Sequence, residues 1–245
     1  AFSGVTDTIK TLAEYAAAGK NIDAAFDSLV AKHTECAEKL SIKNEINIRR
    51  ILDEYFTQLK SDLLFVAKES HLSSQSLDKV LSYGELLSTK ILAEYLCQIG
   101  IPAEQLDARK VILTDNYFGH AFVHYQQSYS RIRSYFKDRS YMQVITGFLG
   151  STKTGATTTL GRSGSDYTAA IFGAALNAKI IEIWTDVSGI LSADPKIVNE
   201  AEVVPSLTYE EAMELAHAGA KVIFPPTMIP ALYKNIPIVI KNTFE

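Results

Sequence analysis

The spacing of apolar residues changes once along this chain, near Gly100, and that change limits the fold more than any other feature. Before it, apolar residues recur every three or four positions, the period of helices with one buried face. Thr6 and Asp7 are placed to cap a helix running to about Ala18. Further helices are expected over 21–40 and 43–68, the latter carrying Ile46, Ile51, Leu52, Tyr55, Phe56, Leu59 and Leu63. Ser76 opens another, through Leu81, Leu86, Leu87, Ile91 and Leu96, ending near Gly100. After Gly100, short β-rich runs appear at 111–114, 142–146 and 180–185, bounded by Gly, Asp or Asn. Helices are expected between and after them, at 166–176, 209–218 and 227–234, with a last strand at 237–241. Strands alternating with helices imply an α/β layer fold with a mainly parallel sheet, preceded by a helix-rich segment.

The net charge is −4 with no block of Lys or Arg. Phosphate-backbone affinity needs clustered cations, so a nucleic-acid partner is not expected. Cys36 and Cys97 stand far apart on helical segments and read as reduced thiols of a cytoplasmic protein. No run of about 18 apolar residues is present to form a membrane span, and no signal peptide opens the chain.

The chemistry concentrates between Gly147 and Asp166. Five glycines (Gly147, Gly150, Gly155, Gly161, Gly164), a Thr157–Thr159 triplet, Arg162, Ser165 and Asp166 follow an expected strand and lead into a helix. Glycines let backbone approach a ligand and reach positive φ. Backbone N–H groups at a helix start favour an anion, and Arg162 adds a cation with bidentate geometry. Neither the Walker A spacing nor the G-x-G-x-x-G fingerprint is present, so this is a ligand loop of another kind. A plain turn would not need that combination.

Weaker signals surround it. Thr185 and Asp186 end an expected strand, where open α/β sheets place ligand contacts, and Asp194-Pro195 reads as a loop clamp. Lys221, between a helix end and Pro225, suits either ATP phosphates or the helix C-terminus itself. Glu85, beside the helix-interior Gly84, could face an ammonium group or simply solvent. His120 and His124 are four apart, a spacing able to hold a metal on one helix face, but no third ligand accompanies them. Residues 125–141, rich in Tyr and Arg, suit an amphipathic or interface helix better than RNA stacking.

Taken in order, Gly4-Val-Thr-Asp7, Ser82-Tyr-Gly-Glu85, Thr157 to Thr168, Trp184-Thr-Asp-Val-Ser-Gly189, Gly219-Ala-Lys-Val222 and Ile236 to Thr243 resemble the aspartate kinase branch of the amino-acid kinase family. The resemblance covers nearly the whole chain, and the 157–168 block is its most specific part. It implies a three-layer αβα sandwich with a mostly parallel sheet of about eight strands. It implies ATP- and Mg²⁺-dependent phosphorylation of the β-carboxylate of L-aspartate, in a protein that is a homo-oligomer at full length. In that reading Arg162 binds the substrate α-carboxylate and Glu85 the α-amino group, while Thr6 and Ser165 add hydrogen bonds. Asp166 organises the transfer centre. Thr185, Asp186, Lys221 and Val222 contact ATP, with Lys196 near the phosphates; no residue is assigned as a metal ligand.

The chain departs from the family pattern in places. Residues 1–245 read as one catalytic domain from which the family's opening lysine–glycine loop and its C-terminal ACT domains are missing. Residues 1–4 read as a strand end turning at glycine. Leu191, Lys196 and Phe224 replace an aromatic, an arginine and a histidine common in the family. Glu182 to Asp186 and Glu211 to Leu215 lean weakly towards the type fused to homoserine dehydrogenase. The rival readings are a sister kinase acting on glutamate, acetylglutamate, carbamate or UMP, and a non-catalytic module that only binds amino acid or nucleotide.

Overall fold

The computed structural model describes residues 1–40, 42, 45–193, 197–198, 200–217 and 225–244. Lys196, Lys221, Val222, Phe224 and the Asp194-Pro195 pair therefore lie outside the described residues.

Four helices form the first hundred residues: α1 (Val5–Ala17), α2 (Asp23–Lys39), α3 (Glu45–Glu69) and α4 (Ser74–Gln98). Their apolar stripes meet in one core. Val5, Ile9, Leu12, Ala13 and Ala16 of α1 pack with Ile48, Leu52, Leu59 and Leu63 of α3 and with Val80, Leu87 and Ile91 of α4. Each such Leu or Ile side chain contributes about 1.5–3 kcal/mol by leaving water. Two helix starts differ from expectation. Gly4, at φ 76°, precedes α1 without any side-chain cap, so Thr6 and Asp7 lie inside the first turn rather than before it. α4 is capped by Ser73, whose hydroxyl accepts from the Ser76 N–H, three residues ahead of the expected start. Residues 1–4 form no strand pairing; positions 3 and 4 are a turn.

Buried inside this core, the His33 ring stacks on Phe2 and meets Phe56 edge-on. Its Nδ1 lies 2.8 Å from the Leu29 carbonyl oxygen, and its Nε2 has no partner among the described residues. Burial pushes its pKa below the usual value, so the imidazole is neutral at pH 7.

Beyond Gly100 the chain alternates. β1 (Ala103–Leu106) pairs in parallel with β2 (Met142–Ile145), and α5 (Tyr125–Phe136) lies between them in sequence. β3 (Leu149–Ser151) and β4 (Thr157–Thr159) form an antiparallel hairpin. α6 (Gly164–Leu176) leads to β5 (Ile181–Thr185), which pairs in parallel with β6 (Ile238–Asn242) after α7 (Tyr209–His217) and α8 (Pro225–Leu232). The architecture is α/β with parallel pairing, as expected. Six strands are formed among the described residues, where about eight were implied, together with three isolated bridges, one of which joins Leu113 to β3.

One expected strand is only partly made. At 111–114, Leu113 bridges Ser151 and Thr114 bridges Val123, but the Leu113 N–H donates to Ser128 Oγ rather than to a strand. No helix among the described residues is long and apolar enough to cross a membrane. Cys36 and Cys97 are both free thiols.

Candidate active site

The stretch 147–166 is not one open loop. Its middle folds into the β3–β4 hairpin, and only its end is a turn that feeds α6. Gly155 and Gly161 adopt positive φ (84° and 76°). Gly147, Gly150 and Gly164 serve close packing instead. A Cβ on Gly147 would meet Ser165 Oγ at 2.6 Å, and one on Gly164 would meet Phe148 Cδ2 at 2.6 Å. Chain crossings, not ligand approach, demand glycine at these positions.

Ser163, at φ 52°, precedes α6 and makes no side-chain cap. The N–H of Gly164 reaches Gly161 O and that of Tyr167 reaches Ser163 O, whereas those of Ser165 and Asp166 meet no acceptor among the described residues. The helix thus starts with free donors at the positive end of its dipole, an arrangement that attracts an anion. Arg162 and Ser165 are exposed there, and Asp166 is half-buried. No described residue hydrogen-bonds the Asp166 carboxylate, and burial alone pushes its pKa above the usual 3.8.

Phe148 ties this turn to the helical layer. Its N–H donates to Gly164 O and to Thr168 Oγ1, at 3.3 and 3.0 Å, while its ring packs against the core that contains Val5, Tyr83 and Leu86. In that layer Gly84 lies against α1, where an added Cβ would meet Val5 Cγ1 at 3.3 Å. Glu85 is 9% exposed, and its Oε1 lies 2.7 Å from the ammonium of Ala1. Thr6 is exposed in the first turn of α1.

Thr185 and Asp186 stand at the C-terminal end of β5, with Thr185 Oγ1 donating to Asp186 Oδ1 at 3.1 Å. Gly173 packs on Ile181, so the start of β5 lies beside the second half of α6. Residues 177–180 turn the chain back, and nine residues of helix and four of strand both rise about 13 Å. A strand running back along α6 from the Gly173–Ile181 contact carries Thr185 and Asp186 toward the end of the fold at which α6 starts.

One reading changes. His120 and His124 do not share a helix face: His120 is in a turn against Gly161 and Phe122, and His124 precedes α5. No group of three or more His, Cys, Asp or Glu able to hold a metal occurs among the described residues.

Sequence reasoning also missed a buried polar stripe on α4. Asp78, Ser82, Glu85 and Thr89 are all buried on a largely apolar helix, at a spacing that puts them on one face. Asp78 accepts from the N–H groups of Gly119 and Thr159 and from Thr159 Oγ1, at 2.9, 2.9 and 2.8 Å. Burial raises its pKa, and these donors partly offset the rise. Arg109 grips Asp107 through Nε and Nη2 and donates from Nη1 to Thr157 Oγ1 at 3.0 Å. The signal was available: polar residues at i, i+4, i+7 and i+11 in a segment otherwise spaced as core.

An α/β protein with a polar, donor-rich helix start beside a strand end is built to bind anionic small molecules. The chain belongs to the amino acid kinase family, whose model matches residues 4–242. It is 39% identical to aspartokinase 1, chloroplastic, of Arabidopsis thaliana over 85% of this chain and 39% of that protein. It is 34% identical to the bifunctional aspartokinase/homoserine dehydrogenase 1, chloroplastic, of Zea mays, over 100% of this chain and 27% of that protein. The structure matches E. coli aspartokinase III in complex with aspartate and ADP (R-state) with a TM-score of 0.91 and 32% identity, covering 99% of this chain and 54% of that one. The chain spans about half or less of the length of these relatives.

Proposed function

We propose that this chain carries the catalytic site of an aspartate kinase, transferring the γ-phosphoryl group of MgATP to the β-carboxylate of L-aspartate. The observation that carries the reading is the start of α6: free N–H donors, Arg162 and an unbonded Asp166 in one turn, packed through Phe148 onto the layer that holds Glu85. Family membership and the aspartate- and ADP-bound E. coli relative support it.

A β-carboxylate oxygen attacks the γ-phosphorus while the bond to the β–γ bridging oxygen breaks, giving an acyl phosphate and ADP. The nucleophile is already anionic at pH 7, so no general base is needed. The obstacle is repulsion between two anions and the entropy of lining them up. Arg162 takes the α-carboxylate. Glu85, a buried carboxylate on α4, takes the α-ammonium, and Thr6 and Ser165 complete the amino-acid contacts. The α6 N–H groups face phosphate oxygens, Thr185, Asp186, Lys221 and Val222 are assigned to ATP, and Lys196 is assigned near its phosphates. The unbonded carboxylate of Asp166 suits a cation-linked role. Mg²⁺ would supply charge neutralisation on the phosphates there. We read the complete protein as a cytoplasmic homo-oligomer.

Hydroxylamine trapping of the acyl phosphate, with aspartate and glutamate compared, tests the reaction in the complete protein. Arg162→Ala is expected to raise KM for aspartate about 30-fold or more, equivalent to about 2 kcal/mol, with KM for ATP little changed. Hydroxamate formed equally from glutamate, or equal losses for both substrates, would overturn the assignment.

A further inference from the structure

We propose that Asp78 is a positioning residue that sets the separation between the two groups gripping the amino-acid substrate; the inference rests on the substrate roles given above to Arg162 and Glu85. Three donors from two distant segments converge on this one buried carboxylate. Its Oδ2 accepts from Gly119 N–H and Thr159 N–H together, and its Oδ1 from Thr159 Oγ1. The two segments are also joined directly, because Ala121 N–H donates to Thr159 O at 2.9 Å. Between those joints stands His120, whose ring occupies the space over Gly161: a Cβ there would lie 2.1 Å from His120 Nδ1. Arg162 is the next residue. The segment 119–121 is therefore a brace along 159–161, fixed at its base by Asp78 and pressing at its tip on the turn that carries Arg162.

The helix bearing Asp78 also bears Glu85, seven residues and about 10 Å along its axis. One rigid helix thus presents the proposed ammonium partner and clamps the base of the proposed carboxylate partner. Both α-groups of a single amino acid must be reached at once, so error in that spacing weakens amino-acid binding. The nucleotide contacts proposed at the end of β5 do not hang on this clamp, and the α6 start proposed to face phosphate is anchored separately, by the Phe148 N–H on Gly164 O and Thr168 Oγ1.

The test is steady-state kinetics on the complete protein, run well below each variant's unfolding temperature. Asp78→Ala is expected to raise KM for aspartate about tenfold or more while KM for ATP stays within about twofold. Asp78→Asn, which keeps one oxygen for the two N–H donors, should return KM for aspartate to within about threefold of the parent. Equal rises in both KM values, or a fall in kcat at unchanged KM for aspartate, would overturn the proposal. If Asp78→Ala does not fold, Thr159→Val removes only the hydroxyl donor. It should raise KM for aspartate about threefold in the parent and not at all in an Arg162→Ala background, because both act through the same contact. An additive rise would refute positioning. Arg162→Ala leaving KM for aspartate unchanged would instead sink the substrate reading itself. A normal Arg162→Ala effect with a silent Asp78→Ala would sink only the inference about Asp78.

Discussion

The segment from Thr159 to Asp166 has a carboxylate at each end, held under opposite conditions. Asp78 meets its first residue, is 1% exposed and satisfies three donors. Asp166 is its last residue, half-buried, its carboxylate without a hydrogen bond among the described residues. Burial pushes both carboxyl groups upward in pKa, so both resist ionisation. The first is compensated inside the fold, as a structural group must be. The second leaves its electrostatic cost unmet until a ligand or cation arrives, a pattern that marks functional carboxylates.

The sharpest way to break this contrast is to truncate each carboxylate. Asp166→Ala is expected to lower turnover about a thousandfold or more, with an unchanged circular dichroism spectrum, because the proposed function places this group in the reaction rather than in the fold. Near-normal turnover would put Asp166 in the same structural role as Asp78. Asp78→Ala, besides its effect on KM for aspartate, should act on stability. It orphans two buried donors on Thr159 and the N–H of exposed Gly119, and a loss of about 2–4 kcal/mol is expected, seen as a fall in Tm of about 5–15 °C. A Tm within a degree of the parent would mean that water replaces the carboxylate freely.

The smallest effect sharpens the comparison most. Asp166→Asn is expected to raise Tm by about 1–3 °C at pH 7 in the absence of ligands. The sign follows from linkage. A carboxyl whose folded pKa is raised favours folding below its unfolded value near 3.8, and that contribution is lost as pH rises through the folded pKa. At neutral pH the ionised group is therefore a net cost that the amide removes. Thermal scans from pH 3.5 upward should show the gap between variant and parent open with pH and then level. A gap independent of pH would show that ionisation is not its cause.

Much of this was legible in the sequence, for local reasons. The four long helices follow from their apolar spacing, and α6 and β5 appear within two residues of their expected bounds. Arg162, Ser165 and Asp166 were legible because glycines and a helix start lie next to them in the chain. What depends on distant partners was not. β1 reads Ala-Glu-Gln-Leu, a poor strand former. It exists because Met142–Ile145 pairs with it and because Gln105 donates to Leu86 O and Thr89 Oγ1. The hairpin inside the glycine run was hidden because glycine serves crossings and turns alike. Asp78 escaped notice because its partners are 41 and 81 positions away, although the polar stripe it belongs to was in view.

The contact between His120 and Gly161 also limits how this domain can be recombined. A chimera that takes residues 103–146 from a relative but keeps its own 147–166 unites a ring and a turn that were never fitted to one another. A Cβ at residue 161 would lie only 2.1 Å from His120 Nδ1, so there is no slack for a differently placed side chain. Grafts that carry both segments as a single cassette preserve the fit, so the workable crossover points lie outside them, not at their junction, where Thr146 is buried.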